Sequence, residues 1–203
     1  MEKSTRVKAR VKAQALREII STRDRVIIMG HRMADVDSFG AAIGIYRIAK
    51  TLEKKAHIVV NDVSSSVKPL VDLFKGNPDY EEDMIIGSPT AIELAGTNSV
   101  LVVVDVDKPS ITECPELLKM CKAIVVLDHH RRGSETIENA TLSYVEAYAS
   151  SACEMVSEIL QYIGDNIKVK PDEADCMYSG IMIDTNNFMT KTGVRTFEAA
   201  AFL

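Results

Sequence analysis

Residues 25–38, RVIIMGHRMADVDS, decide the fold. Val26-Ile27-Ile28-Met29 is an unbroken apolar run. That is the pattern of a strand buried on both faces, as in parallel sheets covered by helices. The run ends at Gly30-His31, and Asp35 and Asp37 follow before an apolar helical segment opens. Two further runs end alike: Leu101-Val102-Val103-Val104 leads into Asp105, and Ile124-Val125-Val126-Leu127 leads into Asp128-His129-His130. Open α/β sheets bind ligands beyond the carboxyl ends of their strands. Three strand tips carrying acid or imidazole describe one polar pocket.

Outward from this stretch the pattern alternates. Strand 25–30 precedes a helix over 37–53, strand 56–60 and a helix near 66–75. Met84-Ile85-Ile86 reads as a minor strand before a helix near 89–95. Strand 99–105, a short helix near 114–121, strand 123–128 and a short strand near 141–145 follow. Helices over 149–163, 171–184 and from about 195 make the last third helical. The alternation predicts an α/β fold, a parallel β-sheet with helices on both faces. Ahead of it, residues 5–20 read as a basic helix whose partial apolar stripe is Val7, Val11, Leu16, Ile19 and Ile20. This helix either packs on the domain edge or connects to an upstream region; its thin apolar face argues against a membrane-surface role. The chain ends within an apolar helical pattern (Phe197, Ala200, Ala201, Phe202) that lacks a C-cap, which reads as a truncation.

The chain has 203 residues, 46% hydrophobic and 26% charged, enough for a sizeable core. No apolar stretch is long enough to span a bilayer, and no secretory signal opens the chain. Cys114, Cys121, Cys153 and Cys176 form no CxxC pair and read as reduced thiols in a cytosolic setting. Net charge is −5, and residues 1–25 carry eight Lys/Arg against three Asp/Glu, a local +5 that leaves −10 on the remainder. An acidic body is a poor surface for long nucleic acid. A small phosphorylated ligand fits if metal ions supply positive charge locally.

Three of the four histidines fall in the strand-tip clusters, and the fourth, His57, reads as structural. Imidazole and carboxylate without thiolate suit hard or borderline divalent cations. The candidates are His31, Asp35, Asp37, Asp105, His129 and Asp184, the last at the end of an apolar helix. Six side chains exceed the needs of one tetrahedral zinc and suit two neighbouring ions. For Asp37 or Ser38 alone, helix N-capping competes with this reading. Strand alternation argues against His129 and His130 binding one metal alike, and Asp128 can support a histidine from behind. Asp107, before Lys108-Pro109, reads as a turn or supporting residue. The chemistry implied is hydrolysis of a phosphoryl ester or phosphoanhydride.

The combination HxxxDxD at 31–37, a lone Asp105 at a strand end, DHH at 128–130 and downstream Asp184 resembles the DHH phosphoesterase superfamily. GHRMADVDSFGAAIG at 30–44, SSACEMVSEILQY at 150–162 and GIMIDTNNFMTKTGVRTFEAAAFL at 180–203 are most similar to its GdpP (YybT)-type cyclic-di-AMP phosphodiesterases. That resemblance implies two Mn²⁺ ions, other divalent ions being substitutes. His31, Asp35 and Asp105 would hold one, and Asp37, Asp105, His129 and Asp184 the other, with Asp105 and a hydroxide bridging. His130 would touch the substrate phosphate, with Ser150, Ser151 and Arg195 as further substrate contacts. The expected substrate is a small cyclic dinucleotide, cyclic di-AMP, opened to 5′-pApA. Type II pyrophosphatase, oligoribonuclease or pAp phosphatase activity, and an inactive metal-binding signalling module are the alternatives. The resemblance makes residues 1–24 a basic linker helix from an absent upstream region and 25–203 the catalytic domain. It also implies an absent C-terminal substrate-binding domain. The whole would be the cytoplasmic part of a membrane-anchored bacterial protein. No membrane contact by residues 1–203 is expected, and a homodimer is left open.

Overall fold

A computed structural model describes residues 2–164 and 167–203, with side chains from Val7 onward. Met1, at the start of the predicted linker, lies outside the described residues. Six strands form one parallel sheet: β1 (Arg25–Met29), β2 (Lys55–Val59), β3 (Ile85–Ile86), β4 (Ser99–Val104), β5 (Ala123–Asp128) and β6 (Leu142–Val145). The helices are α1 (Glu2–Ser21), α2 (Val36–Thr51), α3 (Lys68–Asp72), α4 (Ser88–Leu94), α5 (Leu117–Met120), α6 (Ala152–Leu160), α7 (Pro171–Asp184) and α8 (Val194–Phe202).

The spatial strand order is β3-β2-β1-β4-β5-β6. The chain runs outward from β1 through β2 to β3, then returns to the other side of β1 with β4. The reversal lies between β1 and β4, where strand-end loops diverge and leave a crevice. Their tips carry His31 and Asp105.

The period-2 geometry of the strands divides the interior into two cores. Val26, Ile28, Val100, Val102, Val104, Val125 and Leu127 face the layer containing α1, α2, α6, α7 and α8. Ile27, Met29, Leu101, Val103, Ile124 and Val126 face α4 and α5. All six residues of β4 are buried. Burying each Val or Leu side chain stabilises the fold by about 1.5–3 kcal/mol. This explains how a strand with so little polar character can position an acid at its end.

In the thicker layer, α2 crosses α7 closely. A Cβ on Gly180 would lie 2.5 Å from Cys153 Sγ and 3.0 Å from Asp37 Cα, so only glycine allows this approach. Arg47 on α2 makes two hydrogen bonds, of 2.8 and 2.6 Å, to the fully buried Glu173 on α7.

Two expectations about surface faces need correction. In α1 the buried residues are Ala9, Ala13, Leu16 and Ile20, whereas Val7 and Val11 are exposed. Spacing of four, three and four keeps the first set on one face, and small alanines there allow close packing on α6. Lys12 Nζ donates to Ser143 O at 2.9 Å, which ties α1 to the edge strand β6. In α8, Phe197 is exposed and stacked on Phe188, while Thr196 and Ala199 are the buried positions. No helix among the described residues is long and apolar enough to cross a membrane.

Candidate metal centre

The tips of β1, β4 and β5 converge with the starts of α2 and α6 and the end of α7. Asp105, one residue past β4, is buried and has φ 61°. This left-handed conformation is uncommon outside glycine, although Asp tolerates it better than most residues. Its amide still donates to Leu127 O at 2.8 Å, so the ladder holds the backbone while the side chain leaves the sheet. The two carboxylate oxygens face different partners. Oδ2 lies 3.5 Å from His31 Nε2, and Oδ1 lies 3.2 Å from His129 Nε2.

On the first side, His31 Nε2 is also 3.5 Å from Asp35 Oδ2. Asp35 has two tasks. It is the N-cap of α2, with Oδ1 accepting from the Ser38 amide at 2.9 Å, and its second oxygen faces the cluster. The cap is therefore Asp35, and the capping alternative considered for Asp37 and Ser38 does not apply. Asp37 instead occupies the first turn of α2.

On the second side, His129 Nε2 is 3.4 Å from Asp184 Oδ2 and 3.7 Å from Asp37 Oδ2. Asp37 is gripped from behind by the start of α6. Its Oδ2 accepts from the Ala152 amide at 2.7 Å and its Oδ1 from the Cys153 amide at 2.9 Å. Free amides at a helix N-terminus, reinforced by the helix dipole, favour a carboxylate. The spacing of sequence motifs carries no sign of this contact.

His130 takes a third position. Its ring lies 4.4 Å from that of His129, yet its side chain is 60% exposed. Nδ1 is 2.8 Å from Asp128 Oδ1 and 3.7 Å from Asp105 Oδ1. Both histidines thus approach Asp105, because the chain turns after Asp128 and strict strand alternation has ended. Asp128 anchors only the second of them.

Three sets of candidate ligand atoms lie within 4.8 Å of one another: His31, Asp35 and Asp105; Asp37, His129 and Asp184; and Asp105, His129 and His130. The electrostatics of these sets suit cations. Burial first, then repulsion from Asp105 and Asp184, pushes the Asp37 carboxyl up to about 7. Burial likewise raises Asp184. Hydrogen bonding to Asp105 and then Asp35 raises His31 to about 11. For His129, burial favours the neutral ring but is outweighed by Asp105, Asp37 and Asp184, and the result is about 9. Four carboxylates thus compete for two imidazoles. Asp105 Oδ1 is buried without a hydrogen bond, since His129 Nε2 is near but not aligned. A buried carboxylate that turns one oxygen to each of two acid–imidazole sets, one of them without a hydrogen bond, fits a divalent cation on each side.

Ser150, Ser151 and Arg195 do not join the cluster. Ser151 is the N-cap of α6, its hydroxyl accepting from the Glu154 amide. The Ser150 hydroxyl donates to Glu154 at 2.5 Å, and Arg195 makes two hydrogen bonds, of 2.6 and 2.8 Å, to Glu158. In this structure these side chains are engaged with acidic partners inside the fold. Sequence reasoning missed Glu154, which is buried and also accepts from Thr196 at 2.7 Å, joining the start of α6 to α8. The S-x-x-E spacing from Ser151 to Glu154 was the available signal.

Comparison with known proteins agrees with this architecture. Residues 25–181 match the DHH family, N-terminal domain. Over its whole length the chain is 44% identical to "Cyclic-di-AMP phosphodiesterase GdpP" of Bacillus subtilis and 42% identical to "Cyclic-di-AMP phosphodiesterase PdeA" of Listeria monocytogenes. It spans 31% of the length of each of these relatives. Among solved structures, an exopolyphosphatase-related protein from Bacteroides fragilis superposes with a TM-score of 0.77 at 17% identity, over 95% of this chain and 55% of that one. This last likeness concerns the fold alone.

Proposed function

The chain belongs to the DHH family, and on that premise we propose that it is the metal-binding part of a phosphodiesterase that opens cyclic di-AMP to linear 5′-pApA. The observation that carries this reading is Asp105, whose two oxygens face two separate acid–imidazole sets at 3.5 and 3.2 Å. The naming of relatives at 44% and 42% identity supports the substrate.

On this reading His31, Asp35 and Asp105 would hold one Mn²⁺, and Asp37, Asp105, His129 and Asp184 would hold the other. When bound, such a pair neutralises phosphate charge and acidifies a water for in-line attack at phosphorus. The protein's own groups do the rest. The amides of α6 fix Asp37 against the pull of a cation. Asp128 accepts the Nδ1 proton of His130 and so raises the affinity of that ring for protons. The exposed Nε2–H of His130 then donates to a phosphate oxygen. We assign residues 25–203 to this catalytic unit and 1–24, which include α1, to a basic linker from an upstream region. We place the unit on the cytoplasmic side of a membrane-anchored bacterial protein.

Substrate profiling tests the proposal. The chain alone is expected to be weakly active or inactive without the C-terminal substrate-binding domain, so a longer protein that carries that domain is stripped of metal, reloaded with Mn²⁺ and incubated with cyclic di-AMP, pApA, pAp and pyrophosphate. Conversion of cyclic di-AMP to pApA is expected. Turnover of pyrophosphate alone, or of pAp and short RNA alone, would overturn the substrate. Full two-ion occupancy with no turnover of any substrate would identify a binding module.

A further inference from the structure

A single cleft of about 540 Å³ is lined both by His31, Asp35 and Asp105 and by the loop that follows His130. Two consecutive arginines, Arg131 and Arg132, lie on that lining. Arg131 is exposed and has no ion-pair or hydrogen-bond partner among the described residues. Arg132 is held in place. Its Nη2 donates to Ser143 Oγ at 2.8 Å, and its Nε lies 3.4 Å from Asp107 Oδ2. Neither contact uses Nη1.

Asp107 accounts for the fixed position. It is buried two residues beyond Asp105, and its Oδ1 accepts from the Ile137 amide at 3.2 Å. Its Oδ2 is buried without a hydrogen bond and has Arg132 as its ion-pair partner. A carboxylate in such a place needs a partner, and it anchors the guanidinium at the rim of the cleft. The other cation on this wall, Lys108, is directed to Glu135 at 3.8 Å.

The charge pattern sets the problem that these arginines answer. A ligand with two phosphates can place only one at the carboxylate-rich cluster, where cations offset its charge. The other must lie along the cleft, beside Asp107, Asp128 and Glu135, and needs positive charge there. Guanidinium matches a phosphate through paired, charge-assisted hydrogen bonds.

We propose that Arg131 and Arg132 form a second anion site, which takes the substrate phosphate that is not under attack, and that Asp107 is the positioning residue for Arg132. The inference rests on the phosphodiesterase reading and names what selects dinucleotides within it. A phosphodiester with a single phosphate cannot use both sites.

The test is calorimetric binding of linear pApA and of pyrophosphate to the Mn²⁺-loaded chain, with Mn²⁺ stoichiometry measured for every variant. Arg131→Gln and Arg132→Gln are each expected to weaken pApA about tenfold at unchanged Mn²⁺ stoichiometry, the scale of one lost charge-assisted contact. Asp107→Asn keeps an oxygen for the Ile137 amide and is expected to weaken pApA severalfold. Combined with Arg132→Gln it is expected to add nothing, because the two act through one guanidinium. A fully additive double variant would overturn the positioning role. Unchanged pApA affinity in both arginine variants would overturn the anion site and leave the phosphodiesterase reading standing. Arginine-dependent binding of pyrophosphate without binding of pApA would do the reverse. A wild-type chain that binds neither probe would overturn the site.

Discussion

Gly180→Ala is the substitution that best probes how the fold supports the cluster. The added methyl would lie 2.5 Å from Cys153 Sγ, 3.0 Å from Asp37 Cα and 3.1 Å from Asp37 Oδ1. None of these is the far end of a flexible side chain. Cys153 is fully buried on α6, and its thiol points to Asp37 O at 3.3 Å. Relief therefore requires α2, α6 and α7 to move apart by a sizeable fraction of an ångström. Overpacking of this kind costs about 1–3 kcal/mol, and the helix preference for Ala over Gly returns about 1 kcal/mol. The expected net loss is about 0–2 kcal/mol, which lowers Tm by up to about 8 °C for a chain of this size. Because two of the three contacts are with Asp37, Mn²⁺ affinity at the Asp37–His129–Asp184 set should fall tenfold or more, while the His31–Asp35 set is spared. Calorimetric melting in chelator and Mn²⁺ titration read the two effects separately. Adding Cys153→Ala removes the closest obstacle, so part of the Tm should return while the metal defect persists. A Gly180→Ala protein with wild-type Tm and a wild-type Mn²⁺ isotherm would refute the reasoning.

Other outcomes follow from the same geometry. Asp105→Asn retains a residue type that tolerates φ 61° and removes only the shared charge, so Mn²⁺ titration should show loss of both ions; retention of two-ion occupancy would contradict the bridging assignment. His31 and His129 have folded pKa values raised to about 11 and 9, so the stability they contribute is complete below pH 6.5 and is lost as pH rises toward those values. Asp37, raised to about 7, acts with the same sign at lower pH, because the folded state holds its proton longer than the unfolded state. The metal-free protein should therefore melt at a lower temperature at pH 9 than at pH 6. Stabilisation by excess Mn²⁺ should grow over the same interval, since ligands must shed protons to bind; a metal-free Tm that rises with pH would count against the shifts. Glu173→Gln leaves half-buried Arg47 without its charge partner and should cost about 1.5–3 kcal/mol in chemical denaturation, with Mn²⁺ stoichiometry unchanged in the folded protein.

Several features were legible in the chain because they depend on local pattern. Unbroken apolar runs mark buried parallel strands, and a charged residue that ends such a run must sit at a strand tip. Hence β1, β4 and β5 and the positions of His31, Asp105 and Asp128 could be read directly. Other features depend on contacts between distant segments. The grip of the Ala152 and Cys153 amides on Asp37 spans 115 and 116 residues. Asp35 combines capping with a face toward His31, which a motif cannot separate. Ser150, Ser151 and Arg195 have residue types suited to phosphate contacts, and their pairing with Glu154 and Glu158 could not be read from residue type. The stripe in α1 was misread because valines outweigh alanines in hydropathy, while close packing on α6 selects for small size.

By itself the sequence determined which residues bring acid and imidazole to the strand ends, since hydrophobic periodicity forces those strands into the sheet and leaves their polar tips outside it. Only the tertiary structure decided how these groups are divided. The left-handed backbone at Asp105 aims two oxygens at two imidazoles, the start of α6 fixes Asp37, and Asp128 engages the Nδ1 of His130. Each of these depends on direction at a scale of 3 to 4 Å, set by helix packing across the sheet, and residue spacing along the chain carries no record of direction.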